Sequence, residues 1–335
     1  MTTSIVTPPP TAEWPITLAD IESARERISR YLSPTPFRRY PQLSALVGAG
    51  IDVFVKHENH QPTNSFKIRN GLSFMTALTD DERRRGVVAA STGNHGQGIG
   101  YGGMLLGVDT VVCVPAGNNP DKNATMRALG ATVVEEGRDY DEAVAVMLHI
   151  AERDGRIVAH STNDPRIVAG AGTMTLEILE QEPEIDALVI AVGGGSQAVG
   201  AMTVARAFGS NVAVYGVQAA GAAAIHDSWH ARQRLTTQRA DTFAEGVATR
   251  TTYDLTFPTL LAGLSDFVTV TDAEIAESLR VILSVTHNLV EGAGAMGYAA
   301  LAKLRDRLAG QRVGIIFCGG NLDIATLRRI LNREI

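Results

Sequence analysis

Residues 187–209 read ALVIAVGGGSQAVGAMTVARAFG, an apolar run that passes through three glycines into a pattern of helical period. ALVIA has apolar side chains on both faces, as a strand does inside a parallel sheet covered by helices on each side. Gly193, Gly194 and Gly195 let the backbone approach a ligand closely. Ser196 to Val199 then open a helix whose first N–H groups and dipole favour an anion. A phosphate cradle is one reading, and glycines placed only for packing are the other. Gly193, Gly195 and Ala198 also fit the dinucleotide pattern G-x-G-x-x-A, but the next strand, VAVYGVQ, ends in Gln218 where that pattern needs an acid. The stretch lacks the Gly-Lys-Ser/Thr of a triphosphate loop, and Ala198 stands where a nucleophile elbow needs glycine.

Upstream of this unit, GVVAAS, TVVCVPA and TVVEEG are short strand candidates, and DYDEAVAVMLHIAERDG repeats its apolar residues at intervals of three and four. After residue 156 a second series follows, with strands in RIVAH, VAVYGVQ, DFVTV and RVGIIFCGG and a helix around GTMTLEILEQ. Alternating strands and helices place the chain in the α/β class, with parallel-rich sheets flanked by helices. Two series imply two sheets. Thr17 with Asp20, and Thr271 with Glu274, have capping-box spacing ahead of helical patterns.

The composition agrees with a globular protein: 335 residues, 45% hydrophobic and 20% charged. A net charge of -6 is the wrong sign for a phosphate-backbone ligand, so nucleic acid is not an expected partner. Cys113 and Cys318 stand far apart with no Cys-x-x-Cys pair, which suits a reducing compartment and offers no thiolate metal site. MTTSIVTPPPTAEWP has no basic region followed by an apolar run. The expectation is a soluble, cytoplasmic protein without a membrane partner, residues 1–15 being a flexible tail.

Two further stretches carry chemistry. STGNHGQG (91–98) follows the strand GVVAA and opens a glycine-rich helix, a second place where small residues and helix N–H groups receive an anion such as a carboxylate. In NSFKIRN (64–70), Lys67 lies between Phe66 and Ile68 in what reads as a packed turn, where an ammonium group is poorly solvated and loses its proton readily. HDSWH (226–230) has the i, i+4 histidines of zinc helices, but Asp227 replaces the usual glutamate and no third ligand is marked, so no metal is expected. His57 and His60 read as local hydrogen bonders, and Lys303, Arg305 and Arg307 as a charged helix face.

HENHQPTNSFKIRNG (57–71), STGNHGQG, VGGGS (192–196), EGAGA (291–295) and CGGN (318–321), in this order and at these separations, resemble the fold type II pyridoxal-phosphate enzymes, the tryptophan synthase beta-like architecture. Within them the chain is similar to the threonine/serine dehydratases, or ammonia-lyases, and to the serine racemases. The likeness runs from PTP at Pro34 to the last strand. It implies a large cofactor domain made of residues 1–75 and 160–335 and a small substrate-gripping domain of residues 76–159, with the site between them. It also implies pyridoxal 5'-phosphate as the cofactor, an amino acid as the substrate, and a homodimer or higher homo-oligomer.

By the same resemblance Lys67 forms the Schiff base with the cofactor and acts as the base, Phe66 packs beside the ring, and Ser65 is a helper. Gly193, Gly194, Gly195 and Ser196 hold the phosphate, Asn94 binds the ring hydroxyl, Gly246 and Glu291 lie near the cofactor, and Cys318 faces the pyridine nitrogen. Ser91, Thr92, Gly93, Asn94 and His95 grip the α-carboxylate. The implied reaction is β-elimination from a β-hydroxy α-amino acid such as threonine, serine, 3-hydroxyaspartate or phenylserine, giving a 2-oxo acid and ammonia. Racemisation and a non-catalytic binding role are the alternatives. Thr92 departs from the serine that racemases carry and from the usual alanine of dehydratases; Asn64 and Asn70 replace common glycines and are expected to narrow or polarise the pocket mouth and alter substrate choice. No regulatory domain is read after CGGNLDIATLRRILNREI, so a catabolic or specialised enzyme is the expected parallel.

Overall fold

The computed structural model describes residues 14–209 and 211–335; the expected tail, residues 1–15, lies outside them except for Trp14 and Pro15. Ten strands follow in chain order: β1 (Phe37–Arg39), β2 (Asp52–Lys56), β3 (Val87–Ala90), β4 (Thr110–Val114), β5 (Thr132–Glu135), β6 (Ile157–Val158), β7 (Ala187–Ala191), β8 (Ala213–Ala219), β9 (Asp266–Val270) and β10 (Arg312–Ile316). They form a six-stranded sheet in the order β1-β2-β10-β7-β8-β9 and a four-stranded sheet in the order β5-β4-β3-β6. Every pairing is parallel except that of β1 with β2. The α/β class and the two sheets expected from the sequence are therefore present. β1 and β2 were not expected: β1 has only three residues, two of them exposed arginines, and β2 ends in Lys56, whose burial depends on distant partners.

The central strands are buried on both faces, as their unbroken apolar runs require; Val53, Val55, Val189, Ile190 and Ile315 have no exposed surface. At these sheets' carboxyl edges lie the segments that carry chemistry. β3 leads into the helix Asn94–Leu106, β7 into the helix Ser196–Ala207, and β10 into Cys318.

Four helices meet almost backbone to backbone, and glycine is what allows it. A Cβ on Gly98 of the Asn94 helix would stand 2.5 Å from the Lys67 carbonyl oxygen, at the start of the helix Lys67–Thr76. One on Gly170, in the helix Pro165–Gln181, would stand 2.5 Å from the Arg69 carbonyl, and one on Gly200 of the Ser196 helix would stand 2.7 Å from the Gly172 backbone. The lysine, the carboxylate-type loop and the glycine turn are thus held in one stack of small-residue contacts. Gly98→Ala is expected to push the Lys67 helix aside, with a loss of about 1–3 kcal/mol, the usual cost of overpacking. Denaturant unfolding checks it, and an unchanged midpoint would show that the stack yields freely.

Candidate active site

Asn64, with φ +52°, and Ser65 turn the chain so that the lysine helix begins at Lys67. Ser65 bridges Gly319, and the Phe66 N–H donates to the Cys318 carbonyl at 2.9 Å, which fixes the lysine beside the end of β10. The Ser65 hydroxyl accepts the Lys67 N–H at 3.1 Å and lies behind the lysine, outside the cleft wall. Lys67 Nζ stands 5.0 Å from the Phe66 ring centroid. Burial brings its pKa down to about 8, although Cys318 and Glu291 act in the other direction. This is a lysine at the start of a helix in a cleft, not a solvated one.

A second feature holds that helix in register. Arg69, two residues on and fully buried, donates to Glu58 at 2.7 and 2.9 Å and to Glu177 at 2.6 and 2.8 Å. Lys56 donates to Glu177 at 2.7 Å and to the Thr35 carbonyl at 2.8 Å, and the Thr35 hydroxyl donates to Glu58 at 2.6 Å. Burial pushes the Glu58 carboxyl up, but Arg69 outweighs it and leaves the pKa below its ordinary value. The cluster ties the Lys67 helix to β2 and to the Pro165 helix. Nothing in the sequence marked it, because its four charges are scattered over more than a hundred residues.

The cleft of about 1150 Å³ is lined from both sheets and brings together Lys67, Phe66, Ser91 to His95, Gly193 to Ser196, Gly246, Glu291 and Cys318. Gly195, with φ +93°, precedes the Ser196 helix, and Thr256 donates to the Gly194 carbonyl at 2.6 Å. The turn has no room for side chains: a Cβ on Gly193 would lie 2.6 Å from the Gly246 carbonyl, and one on Gly194 would lie 2.0 Å from the Thr162 hydroxyl. Such a bare, N–H-rich turn at a helix start fits a phosphate. Cys318 is buried, and burial raises its thiol well above the ordinary pKa, so it stays neutral.

Asn94 does not stand free. Its amide donates to Glu291 at 2.8 and 3.0 Å, while its carbonyl accepts from Asn321 at 2.7 Å. Burial raises the Glu291 pKa, with Asn94 opposing. Asn321, which also donates to the Thr63 carbonyl at 2.9 Å, was quoted within CGGN but not singled out. Tyr140, Thr162 and Tyr253 also line the cleft, and they come from a helix start and two loops with no motif of their own. His95 is buried and its Nε2 donates to the Ala159 carbonyl at 2.9 Å, leaving Nδ1 as an acceptor. Burial, aided by Lys67, lowers its pKa to about 3, so the ring stays neutral and has no proton to offer a carboxylate. Any grip by His95 on that group falls to its backbone N–H in the first turn of the helix. Asn64 is exposed and Asn70 is fully buried within the Lys67 helix, so neither narrows the mouth as expected.

Four other histidines, His57, His60, His226 and His230, are used locally. His226 pairs with Asp227 at 2.8 Å and His230 donates to the Phe267 carbonyl at 2.9 Å; among the described residues no group of three His, Cys, Asp or Glu could hold a metal. His57 meets the Tyr40 hydroxyl and His60 meets Asn288. Lys303 and Arg307 pair with Glu274 and Asp266. No helix among the described residues is long and apolar enough to cross a membrane.

A low-pKa lysine facing a bare glycine turn and a neutral thiol, at the carboxyl edges of two parallel sheets, defines an enzyme of the kind that binds a phosphorylated aldehyde through an amine. The chain belongs to the family of pyridoxal-phosphate dependent enzymes, whose model matches residues 28–319. It is 35% identical to the L-threonine ammonia-lyase of Thermotoga maritima over 95% of this chain and 79% of that one. It is 34% identical to the L-threo-3-hydroxyaspartate ammonia-lyase of a Pseudomonas species over 93% of this chain and 97% of that one. Maize serine racemase superposes with a TM-score of 0.90 at 27% identity, covering 96% of this chain and 98% of that one.

The cofactor is pyridoxal phosphate, and the residues present fit it. A further expected result follows from the lysine. With the amine half-deprotonated at about pH 8, the rate at which the apo protein captures the cofactor rises with pH up to that point and then levels, because only the neutral amine attacks an aldehyde. Stopped-flow absorbance measures it; a rise continuing to the ordinary lysine value of 10.5 would mark a solvated amine.

Proposed function

We propose that this enzyme eliminates water from a β-hydroxy α-amino acid, yielding a 2-oxo acid and ammonia. The observation that carries the reading is the placement of Lys67, whose amine loses its proton near pH 8, in one cleft with the glycine turn and the Ser91 to His95 loop. The ammonia-lyase relatives support it. When bound, pyridoxal phosphate supplies the electron sink that makes a Cα–H bond beside an amine weak enough to break.

The protein's own groups do the rest. Backbone N–H groups at the start of the Asn94 helix and the Ser91 hydroxyl hold the α-carboxylate. Lys67 Nζ takes the Cα proton, the β-hydroxyl departs with a proton as water, and the enamine product, once released, tautomerises and takes up one solvent water, which supplies the 2-oxo oxygen and displaces ammonia. Cys318 stays uncharged, and a neutral partner favours quick loss of a β-substituent over a long-lived carbanion. Residues 76–159, which contain the four-stranded sheet, act as the small lobe and 160–335 with 1–75 as the large one, and closure between them keeps water out. The same reading makes the enzyme a cytoplasmic homo-oligomer.

Racemisation is the second reading, favoured by the racemase neighbour and by the Thr92 hydroxyl at the cleft wall. A panel of β-hydroxy amino acids assayed for ammonia and 2-oxo acid, with chiral analysis of the remaining substrate, separates the two. Accumulating 2-oxo acid supports elimination; inverted substrate without ammonia would replace it by racemisation, and ligand-induced spectral change without turnover would leave a binding protein.

A further inference from the structure

Resting on that reading of the site, we infer that the cleft selects substrates with a single carboxylate and an uncharged β-substituent, and that Asp141 enforces the choice by neutralising Arg250. Apart from Lys67, the cations lining the cleft among the described residues are Lys122, Arg138, Arg239 and Arg250. Each has a carboxylate of its own. Lys122 pairs with Glu245, Arg138 with Glu142, Arg239 with Asp241 at 2.8 Å, and Arg250 with Asp141.

The lining acids are not balanced in the same way. Asp139 and Asp323 accept from the uncharged N–H groups of Glu142 and Thr326, at 3.0 and 2.8 Å, and they add negative charge to the wall. His95 contributes none of the opposite sign, since its ring is neutral. The α-carboxylate has its site on the Asn94 helix. A second carboxylate, such as that of a 3-hydroxyaspartate, would find every cation already paired and the helix-capping carboxylates of Asp139 and Asp323 nearby, so it enters against a repulsive field. The Pseudomonas relative's substrate is therefore not carried over to this chain.

Arg250 is the least exposed of the three arginines on the cleft wall, and one change would release it. It lies just after the short turn Glu245–Val247, between β8 and β9, while Asp141 lies in the first turn of the helix Tyr140–Asp154 beside β3, so the pair joins elements of one sheet to those of the other. Asp141→Asn keeps the size of the side chain and removes its charge, leaving the guanidinium available for a carboxylate.

The test compares 3-hydroxyaspartate with β-hydroxyasparagine, which differ in charge and hardly in shape. The holoenzyme is expected to favour the amide in kcat/KM by at least about tenfold, a difference of about 1.4 kcal/mol. Asp141→Asn is expected to move that ratio toward the dicarboxylate by a similar factor, and adding Arg250→Gln to move it back. A purely structural role for Asp141 would lower both rates together and leave the ratio alone. Equal rates, a preference for the dicarboxylate, or an unmoved ratio in Asp141→Asn would each overturn the inference. Calorimetric titration of the holoenzyme with aspartate and asparagine reads the same preference without turnover. Absence of ammonia from every substrate would then defeat the lyase reading alone, whereas tighter binding of aspartate would defeat the charge argument whatever the reaction.

Discussion

Lys67→Ala holoenzyme turns over no β-hydroxy amino acid at a measurable rate, a fall of at least about 10⁴-fold, because on the proposed mechanism one change removes both the group that tethers the cofactor and the base that takes the Cα proton. The fall is in kcat, with little change in the affinity for a carboxylate, whose site lies on another helix. Borohydride reduction of the native enzyme followed by digestion places the cofactor on the peptide that contains Lys67. Recovery of the label on Lys56, Lys122 or Lys303 instead would overturn the assignment of the site. Folding survives the change, since the Lys67 amine makes no ion pair. The sign of its contribution is the reverse of a salt-bridged lysine: its folded pKa of about 8 lies below the ordinary 10.5, so the unfolded chain holds the extra proton between those values. Stability of the apo protein therefore rises with pH from about 8 to 10.5, and Lys67→Ala removes that slope.

Arg69→Met unfolds at markedly lower denaturant. It leaves Glu58 and Glu177 facing one another in a buried site with only Lys56 to compensate, a loss of about 3–5 kcal/mol. Removing the arginine together with the charge of Glu58 alone (Arg69→Met, Glu58→Gln) is less damaging than the single change, because the one carboxylate that remains, Glu177, keeps Lys56 as its partner. The pairing also sets an acid limit. Glu58 has a folded pKa below its ordinary 4.5, so its contribution is complete above that value and is lost as the pH falls through the lower folded one. Equal denaturant midpoints for Arg69→Met and wild type would show that the cluster adds nothing to the position of the Lys67 helix.

Much of this site is readable along the chain because its parts are local. A glycine turn before a helix, a hydroxyl-rich turn before another, and a lysine between Phe66 and Ile68 each announce themselves within a few residues, since backbone geometry and helix N-termini act at short range. The readings that failed were of another kind. Asn70, expected at the pocket mouth, is instead fully buried, and the His95 ring is engaged through Nε2 by the carbonyl of Ala159, 64 residues away, which leaves its backbone N–H for a carboxylate. Lys56, Glu58, Arg69 and Glu177 carry no local signal, because only burial brings them together. Asn321 was in view as part of a motif, yet its partner Asn94 lies 227 residues away.

The α/β class, the lysine and the two turns that open helices at Asn94 and Ser196 follow from the sequence alone, since periodicity and local backbone chemistry determine strands, helices and their ends. The protonation of Lys67, the tautomer of His95, the compensation of each cation in the cleft and the backbone contacts at Gly98, Gly170 and Gly200 come only from the tertiary structure. Charge and polarity depend on which groups surround an atom in space, and those neighbours are set by packing between segments remote from one another in the chain.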